Sequence, residues 1–237
     1  MFAHPDDETL VGPLLASQAR RGAKVHLAIV TEGDKGTQAH AGIPAGQELA
    51  RVRAEEARCS ARALGIEPPV LLGFKDGELG RMARPSWGPL AEVEAALARL
   101  MSDLRPDVVV TFGPEGAYGH PDHRLVGAVV TQLVQKGADG APAVLLYPGF
   151  PSDRLPPPAA GGLPWSPTAA RFLTVRVPYR AEDMAASRAA LACHQTQFRP
   201  DQIQALPHFM ERVLGGEVYL RPWFGTGGGD PFAPDPR

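Results

Sequence analysis

The sequence lacks the features of a membrane protein, a secreted protein and a nucleic-acid-binding protein. No apolar run approaches the ~20 residues of a membrane-spanning helix, and the N-terminus has no basic and apolar segments of a secretory signal. No cluster of Lys and Arg occurs, and the net charge is only -2, so a nucleic-acid surface or a basic membrane patch has no electrostatic basis. We therefore predict a cytoplasmic protein with a small-molecule partner, no nucleic acid and no membrane. Its oligomeric state stays open, a homo-oligomer included.

Cysteine is also scarce. Cys59 and Cys193 are the only two cysteines, both lie in helix-like contexts, and no CxxC metal signature is present. Free cysteines of this kind usually behave as small buried hydrophobic residues. We predict two buried thiols rather than a disulfide.

Two common catalytic motifs are missing as well. No Gly-x-Ser-x-Gly nucleophile elbow occurs, which disfavours a Ser-His-Asp mechanism. The glycines of residues 33–36 form neither GxGxxG nor a phosphate loop ending in Gly-Lys-Ser/Thr, so a nucleotide cofactor lacks support.

What the sequence does contain is an alternation of short apolar runs and helical patterns, with 44% hydrophobic residues to build a core. The strands are predicted at 25–30, 69–74, 107–112, 143–148 and 171–177, and the helices at 8–21, 47–65, 89–104, 123–136 and 181–195. Such alternation predicts an α/β fold with a mainly parallel sheet and helices on both faces. Ligands bind such sheets at the carboxyl ends of the strands.

We predict a single domain over residues 1–224 and a flexible tail over 225–237, which is rich in Gly and Pro. The Pro/Gly-rich segment 148–167 is predicted to be a surface loop and a candidate lid. Only three residues precede His4, where this fold class would have a complete strand. Either that strand is short or the true start of the protein lies upstream.

Two similar clusters, HPDDE at 4–8 and GHPDH at 119–123, stand out. Pro and carboxylates suit the first turn of a helix, so each cluster alone could be a helix start. Capping does not account for His4, His120 and His123, because a protonated His is unfavourable at a helix N-terminus. If both loops lie at one sheet edge, two imidazoles and a carboxylate could form a catalytic zinc site.

AHPDDE (3–8) and GHPDH (119–123) resemble the two signature motifs of the LmbE-like, or PIG-L, family of zinc-dependent N-acetylglucosaminyl deacetylases, which includes enzymes of thiol-cofactor pathways. Weaker matches are TEGDKGT (31–37), the R-x-x-E helix from Arg53, LLGFKDGEL (71–79) and HQTQ (194–197), where Thr196 replaces the usual Ser. The likeness spans about residues 3–200. It implies an LmbE-like, Rossmann-like three-layer α/β/α fold and one Zn²⁺ per chain.

The resemblance also implies roles for individual residues. His4, Asp7 and His123 match the family's zinc ligands, Asp6 its general base and His120 a residue that, when protonated, stabilises the oxyanion. Substrate contacts are implied for Arg53, Asp76 and Tyr118. Independently of the resemblance, Asp122 could hydrogen-bond an imidazole and fix its tautomer, and His194 with Gln197 could brace the metal loop, because ligating histidines usually have such polar partners.

Several of these residues have a simpler interpretation. Arg53 lies on a charge-rich helix whose exposed face is the ordinary location for such a residue. Asp76 could simply form a turn, and Asp122 could cap the helix that begins near it. His194 could cap the end of the preceding helix, which is slightly favoured over a role beside Gln197.

The function implied by the resemblance is a zinc-dependent hydrolase that removes the N-acetyl group from an N-acetylglucosaminyl-type small molecule, releasing acetate and a free amine. The partner would be an N-acetylated amino sugar. Two alternatives stay open: a carbohydrate-binding relative without catalysis, and a zinc amidohydrolase that acts on a different N-acyl substrate.

Overall fold

The computed structural model describes residues 1–80, 89–157 and 164–224. The helices are α1 Gly12–Arg20, α2 Gln47–Leu64, α3 Leu90–Leu104, α4 Gly116–Gly119, α5 Pro121–Gln135, α6 Ala181–Leu191 and α7 Pro200–Leu214. The strands are β1 Ala28–Thr31, β2 Val70–Phe74, β3 Val108–Val110, β4 Val144–Pro148, β5 Phe150–Pro151, β6 Pro167–Thr168, β7 Val175–Pro178 and β8 Glu217–Pro222. A 3₁₀ turn over Asp7–Val11 precedes α1.

The predicted alternation of strands and helices is confirmed. Each predicted strand and helix overlaps an observed one, and α2 ends at Gly65, whose φ of 70° is the left-handed value typical of a glycine stop. Helices α4 and α7 and strands β5, β6 and β8 were not predicted, and β5 lies inside the 148–167 segment that was predicted to be a surface loop. The predicted tail 225–237 and part of the candidate lid, residues 158–163, lie outside the described residues.

The sheet is parallel near the N-terminus and antiparallel at its other edge. β1 pairs with β2 and β3 with β4 in parallel, whereas β8 runs antiparallel between β4 and β7. The prediction of a mainly parallel sheet is therefore confirmed, with an antiparallel edge that it did not include.

Residues 1–3 connect the two parallel strand pairs. The backbone N–H of Phe2 donates to Ala28 O over 2.8 Å, and Phe2 O accepts from Val30 N over 3.0 Å. On the other side, the amino group of Met1 donates to Val110 O of β3 over 2.8 Å. Phe2 thus bridges β1 while Met1 reaches β3, and this placement fixes the position of His4.

The helices pack in two groups. One contains α1, α2 and α6, and the other contains α3 and α5. Apolar side chains of both the sheet and the helices form one main buried cluster, in which Phe2, Ile29, Leu97, Val130 and Leu145 are all under 3% exposed. Within the described residues, no helix combines the length and apolarity needed to cross a membrane.

The prediction of two buried thiols is wrong. Cys59 on α2 and Cys193 just after α6 form a disulfide, and both residues are only half-buried. The two helices pack against each other, which brings together two cysteines 134 residues apart in sequence. A contact at that separation leaves no signal in the local sequence pattern.

Replacing Cys59 by Ser should lower the free energy of unfolding by up to about 5 kcal/mol, because the crosslink restricts the unfolded chain. Urea unfolding with and without reductant measures the effect. Reductant should destabilise the wild type and leave Cys59→Ser unchanged. Equal unfolding midpoints for the oxidised and reduced wild type would contradict the prediction.

Candidate metal and active site

The two histidine clusters meet at one edge of the sheet. His4–Glu8 follows the short strand of residues 1–3, and the segment carrying His120 and His123 follows β3. The Phe2 ring packs edge to face on Phe112, with centroids 5.1 Å apart, and Phe112 stacks on the imidazole of His123 at 4.0 Å. The sheet thus sets the distance between the clusters through an aromatic contact.

Three predicted ligands bring their donor atoms together. Nδ1 of His4 lies 3.1 Å from Nε2 of His123, and Asp7 Oδ1 lies 3.2 Å from the same Nε2. Asp7 Oδ2 is 3.6 Å from His4 Nδ1 and also accepts from the backbone N–H groups of Ala3 and His4. All three side chains are buried. This donor set suits a metal ion.

The electrostatics agree with this arrangement. Burial alone would raise the pKa of Asp7, but the charge of His123 and hydrogen bonds from His123 and His4 outweigh it and hold that pKa well below its usual range. Asp7 is therefore a carboxylate at neutral pH, as a metal ligand must be.

The other ring nitrogen of His4 faces two further carboxylates. Its Nε2 lies 3.1 Å from Asp76 Oδ1 and 3.4 Å from Asp122 Oδ2. Asp122 Oδ2 also accepts from Gly77 N over 2.8 Å, so it joins the loop after β2 to the site instead of capping α5. Carboxylates in this position orient a ligating imidazole and fix its tautomer.

Two other groupings could also hold a metal: His4 with His120 and His123, and His4 with Asp76 and Asp122.

Asp6 has an unusual backbone conformation. Its φ of 120° is rare for a residue other than glycine, and such strain is common at functional sites. The strained turn leaves the Asp6 side chain at the edge of the metal site, where Gln197 Nε2 donates to Asp6 Oδ2 over 3.0 Å. Burial and the neighbouring charge of Asp7 raise the pKa of Asp6 to about 7, so it can exchange a proton near neutral pH.

His120 lies beside both metal-site imidazoles, with its ring centroid 4.7 Å from those of His4 and His123. It is also the N-cap of α5, since its Nδ1 accepts from Asp122 N over 3.2 Å. Burial, followed by the charges of His4 and His123, lowers the pKa of His120. This disfavours the protonated form that the resemblance implies, and the neutral ring would carry its proton on Nε2.

Tyr118 is placed close to the same rings, with its centroid 5.2 Å from His123 and 6.0 Å from His120. Burial, followed by the charges of Asp7 and Asp6, raises the pKa of the Tyr118 hydroxyl. The tyrosine is therefore a hydrogen-bond donor at neutral pH.

Arg53 is 1% exposed, so the expectation of a solvated helix face is wrong. Its guanidinium donates to the backbone carbonyls of Gly33 and Gly36 and to Oε1 of Gln197. A Cβ on Gly33, whose φ is 64°, would lie 2.7 Å from Arg53 Nη1. The glycines of TEGDKGT thus make room for Arg53, which holds Gln197 against Asp6.

Thr196, which stands where the family usually has Ser, makes two hydrogen bonds to Glu56. Thr196 Oγ1 donates to Glu56 Oε2 over 2.6 Å, and its N–H donates to Glu56 Oε1 over 2.7 Å. The hydroxyl thus does here what a serine could do. These bonds fix the segment that presents Gln197.

Glu8 is a functional candidate that the sequence analysis missed. It is fully buried and accepts from Ser60 Oγ, from Asp6 N over 3.1 Å and from His194 Nε2 over 2.6 Å. Burial opposes both charges, yet their mutual attraction lowers the pKa of Glu8 and raises that of His194. The His194 side chain therefore pairs with Glu8 of the HPDDE segment and does not cap α6. The only sequence signal for Glu8 was its place in the HPDDE motif.

A cavity of about 690 Å³ opens on this site. Its polar end is lined by six of the predicted residues: His4, Asp6, Asp7, Asp76, Tyr118 and His120. Arg53 also reaches the wall, whereas Asp122, His123 and His194 do not line it. The structure thus gathers all ten predicted site residues, and their roles in binding and catalysis stay predictions.

A family model described as PIG-L: GlcNAc-PI de-N-acetylase matches residues 1–134, more than half of the chain and including both histidine clusters. The chain belongs to the PIG-L family. This confirms the resemblance carried by AHPDDE and GHPDH.

Relatives with assigned names agree with this membership. A 1D-myo-inositol 2-acetamido-2-deoxy-alpha-D-glucopyranoside deacetylase of Mycobacterium sp. (strain KMS) is 35% identical over 57% of this chain and 49% of its own length. A second deacetylase of that name, from Catenulispora acidiphila, is 30% identical over 92% of this chain and 86% of its own. The chain spans about half the length of the curated relatives with the strongest matches.

Solved structures show the same fold. The N,N'-diacetylchitobiose deacetylase from Pyrococcus horikoshii superposes with a TM-score of 0.68 at 21% identity, covering 93% of this chain and 81% of that one. At this identity the likeness establishes the LmbE-like fold.

Replacing Glu8 by Gln should lower the free energy of unfolding by about 3–5 kcal/mol, because it leaves the charge of buried His194 without its partner. The matched control is Glu55→Gln on α2, where the carboxylate is 62% exposed and pairs with Arg58; that change should cost at most about 1 kcal/mol. Urea unfolding of the metal-free proteins makes the comparison. Equal losses in the two variants would show that the Glu8–His194 pair is not special.

Proposed function

We propose that this protein is a zinc-dependent hydrolase that removes the N-acetyl group from an N-acetylglucosaminyl-type small molecule. The observation that carries the proposal is the convergence of His4 Nδ1, His123 Nε2 and the Asp7 carboxylate, with pairwise separations of 3.1–3.6 Å. His4 and Asp7 line a cavity that Asp6 and His120 also line. Family membership supports the reaction type.

The donor set fits zinc. Ligand atoms about 2.0–2.2 Å from one zinc ion lie roughly 3.3–3.6 Å apart when the arrangement is tetrahedral. The pairwise separations here are 3.1–3.6 Å, with Asp7 approaching His123 through Oδ1 and His4 through Oδ2. Two histidines and one carboxylate are a common ligand set of catalytic zinc sites. His4, Asp7 and His123 would hold the ion, which when bound polarises an amide carbonyl and makes water a better nucleophile.

Asp6 is suited to move the protons of the reaction. Its carboxylate accepts a proton from the water whose oxygen bonds to the amide carbon, and it returns that proton to the nitrogen as the C–N bond breaks. The products are acetate and the free amine. Gln197, held by Arg53, aims the carboxylate.

His120 would stabilise the negative charge that develops on the carbonyl oxygen. Its Nδ1 is occupied by Asp122 N, so Nε2–H is the donor available to the cavity. A fixed donor aimed at developing charge is a large contribution in amide hydrolysis. The neutral imidazole suffices for this, and its lowered pKa is compatible with the role.

The substrate would be a small N-acetylated amino sugar, with Arg53, Asp76 and Tyr118 at the wall beside its polar groups. The relatives named above act on acetamido sugars.

A cytoplasmic location stays a prediction, and the Cys59–Cys193 disulfide is more typical of oxidising environments. The two helix groups support the three-layer arrangement.

Asp6→Asn should keep the fold and the metal while lowering acetate release about 100- to 10,000-fold, because it removes the proton acceptor. Asn tolerates the positive φ of this position nearly as well as Asp. Turnover is measured as acetate released from N-acetylglucosamine conjugates. The control is Asp201→Asn, whose side chain is 69% exposed and pairs with Arg199; it should retain full activity. Wild-type turnover in the Asp6→Asn variant would remove Asp6 from this role.

Metal binding separates the enzyme from a carbohydrate-binding relative without catalysis. Zinc should bind the chelator-treated wild type with a stoichiometry of one, and His123→Ala or the bulkier His123→Gln should lose more than about 100-fold in affinity, since even supporting residues cost about 10–100-fold. His208→Ala serves as control, because that side chain is 69% exposed. Calorimetric titration gives both quantities. Unchanged affinity in both His123 variants would refute the proposed ligand set.

A further inference from the structure

One face of α2 holds the segment that follows α6. Arg53, Glu56 and Ser60 recur at the three- and four-residue spacing of a single helical face, and all three are buried. Cys59, the residue before Ser60, forms the disulfide with Cys193. The polar face and the disulfide therefore lie on the same part of the helix surface.

The contacts between this face and residues 193–197 form a series, which we call the α2 ladder. It has four steps: Cys59 bonded to Cys193, Ser60 and His194 both on Glu8, Glu56 with Thr196, and Arg53 with Gln197. The first step is covalent, and the others are hydrogen bonds or ion pairs. The disulfide therefore fixes one end of the ladder.

The ladder contacts Asp6 in two places. Gln197 Nε2 donates to the Asp6 carboxylate over 3.0 Å, and Glu8 accepts from the backbone N–H of Asp6 over 3.1 Å. The φ of Asp6 is 120°, and a strained conformation of this kind persists only where the surrounding structure holds it. The ladder thus supplies contacts that keep a residue of the candidate site in a strained conformation.

The disulfide is the step of the ladder that a reagent in solution can open. Cys59 and Cys193 are half-buried, whereas Ser60, His194 and Thr196 are buried. Accessible disulfides are usually the labile or regulatory ones, because a thiolate can reach their sulfur atoms. In the cytoplasm, the location predicted from this sequence, a disulfide is usually transient and redox-sensing.

We propose that Cys59–Cys193 is a reversible redox modification site that controls the candidate active site: the disulfide keeps the ladder closed on Asp6, and reduction loosens it. Two molecules of a small thiol are the reductant. The S–S bond breaks, each cysteine becomes a thiol, and the two reductant sulfurs form a new disulfide. The effect on turnover rests on the proposed function, in which Asp6 carries the proton.

Amide hydrogen exchange of the zinc-loaded protein, followed by mass spectrometry, tests the loosening directly. The wild type is compared before and after reduction with tris(2-carboxyethyl)phosphine, at a temperature where circular dichroism shows both forms folded. Peptides covering 1–10 and 193–197 should exchange at least about fivefold faster after reduction, because such backbone strain is worth roughly 5- to 150-fold in an equilibrium. Strands β4 and β8 should not change, and oxidised glutathione should restore slow exchange. Unchanged exchange, or an equal rise along the whole chain, overturns the inference.

Variants separate the redox site from a general loss of stability. Cys59→Ser and Cys193→Ser should show the fast exchange of the reduced wild type at 193–197 and should not respond to the reductant. The control is Leu97→Ala on α3, which removes a fully buried core side chain and keeps the disulfide. Before reduction it should exchange at 193–197 like the oxidised wild type. Exchange there as fast as in the reduced wild type would overturn the inference.

Acetate release from N-acetylglucosamine conjugates, measured on the same oxidised and reduced samples, reports on the proposed function separately. The kcat should fall at least about fivefold on reduction and recover with oxidised glutathione. Equal kcat in both redox states overturns control by the disulfide and leaves the deacetylase. No release from any conjugate in either state removes the deacetylase, whereas a reversible change in exchange at 1–10 and 193–197 still supports the redox site.

Discussion

The hydrogen bonds that hold residues 1–3 between β1 and β3 are the constraint on which the site depends. Through these bonds residues 1–3 link the parallel pair β1–β2 to the parallel pair β3–β4. The same three residues deliver His4 and Asp7 to the sheet edge where the chain leaves β3. Phe2 then contacts Phe112, which stacks on His123. A single short segment therefore sets the backbone position of two candidate ligands and, through ring packing, that of the third.

Three successive carboxylates, Asp6, Asp7 and Glu8, have three different environments. Asp7 faces the imidazoles and stays ionised, with a pKa well below its usual range. Asp6, beside that charge, has a pKa raised to about 7. Glu8 points the other way and pairs with His194 inside the protein. Three neighbouring carboxylates can thus act as metal ligand, proton carrier and structural support, because the pKa of each follows its surroundings and not its residue type.

The sequence predicts the part of this site that local patterns encode. His4 and His123 could be found because a helix start gives no reason for their imidazoles, and two such clusters are a specific signal for a site that includes Asp7. His120, in contrast, does cap α5 through Nδ1. The longer strands and helices up to residue 195 follow from apolar periodicity, whereas α4, β5 and β6 do not. Segment 200–222 carries no predicted element, although α7 has an apolar face and a proline at its start.

What could not be predicted depends on partners far apart in the chain. Glu8 is buried because His194, 186 residues away, meets it. Arg53 is buried, although its helix is rich in charged residues, because its guanidinium finds the backbone carbonyls of Gly33 and Gly36 as acceptors. In both cases a polar group is buried only where tertiary structure supplies its partner, and no spacing within the sequence records that partner.

The disulfide has a consequence for the connectivity of the chain. Cys59 lies inside the segment matched by the family model, and Cys193 lies beyond it. Their bond closes a covalent ring of the chain that contains β3, α5 and the GHPDH cluster. Ser60 and His194, the residues next to the two cysteines, both contact Glu8. A break in the backbone anywhere within the ring would leave the two pieces covalently joined, and Ser60 and His194 would still be tethered to each other beside Glu8.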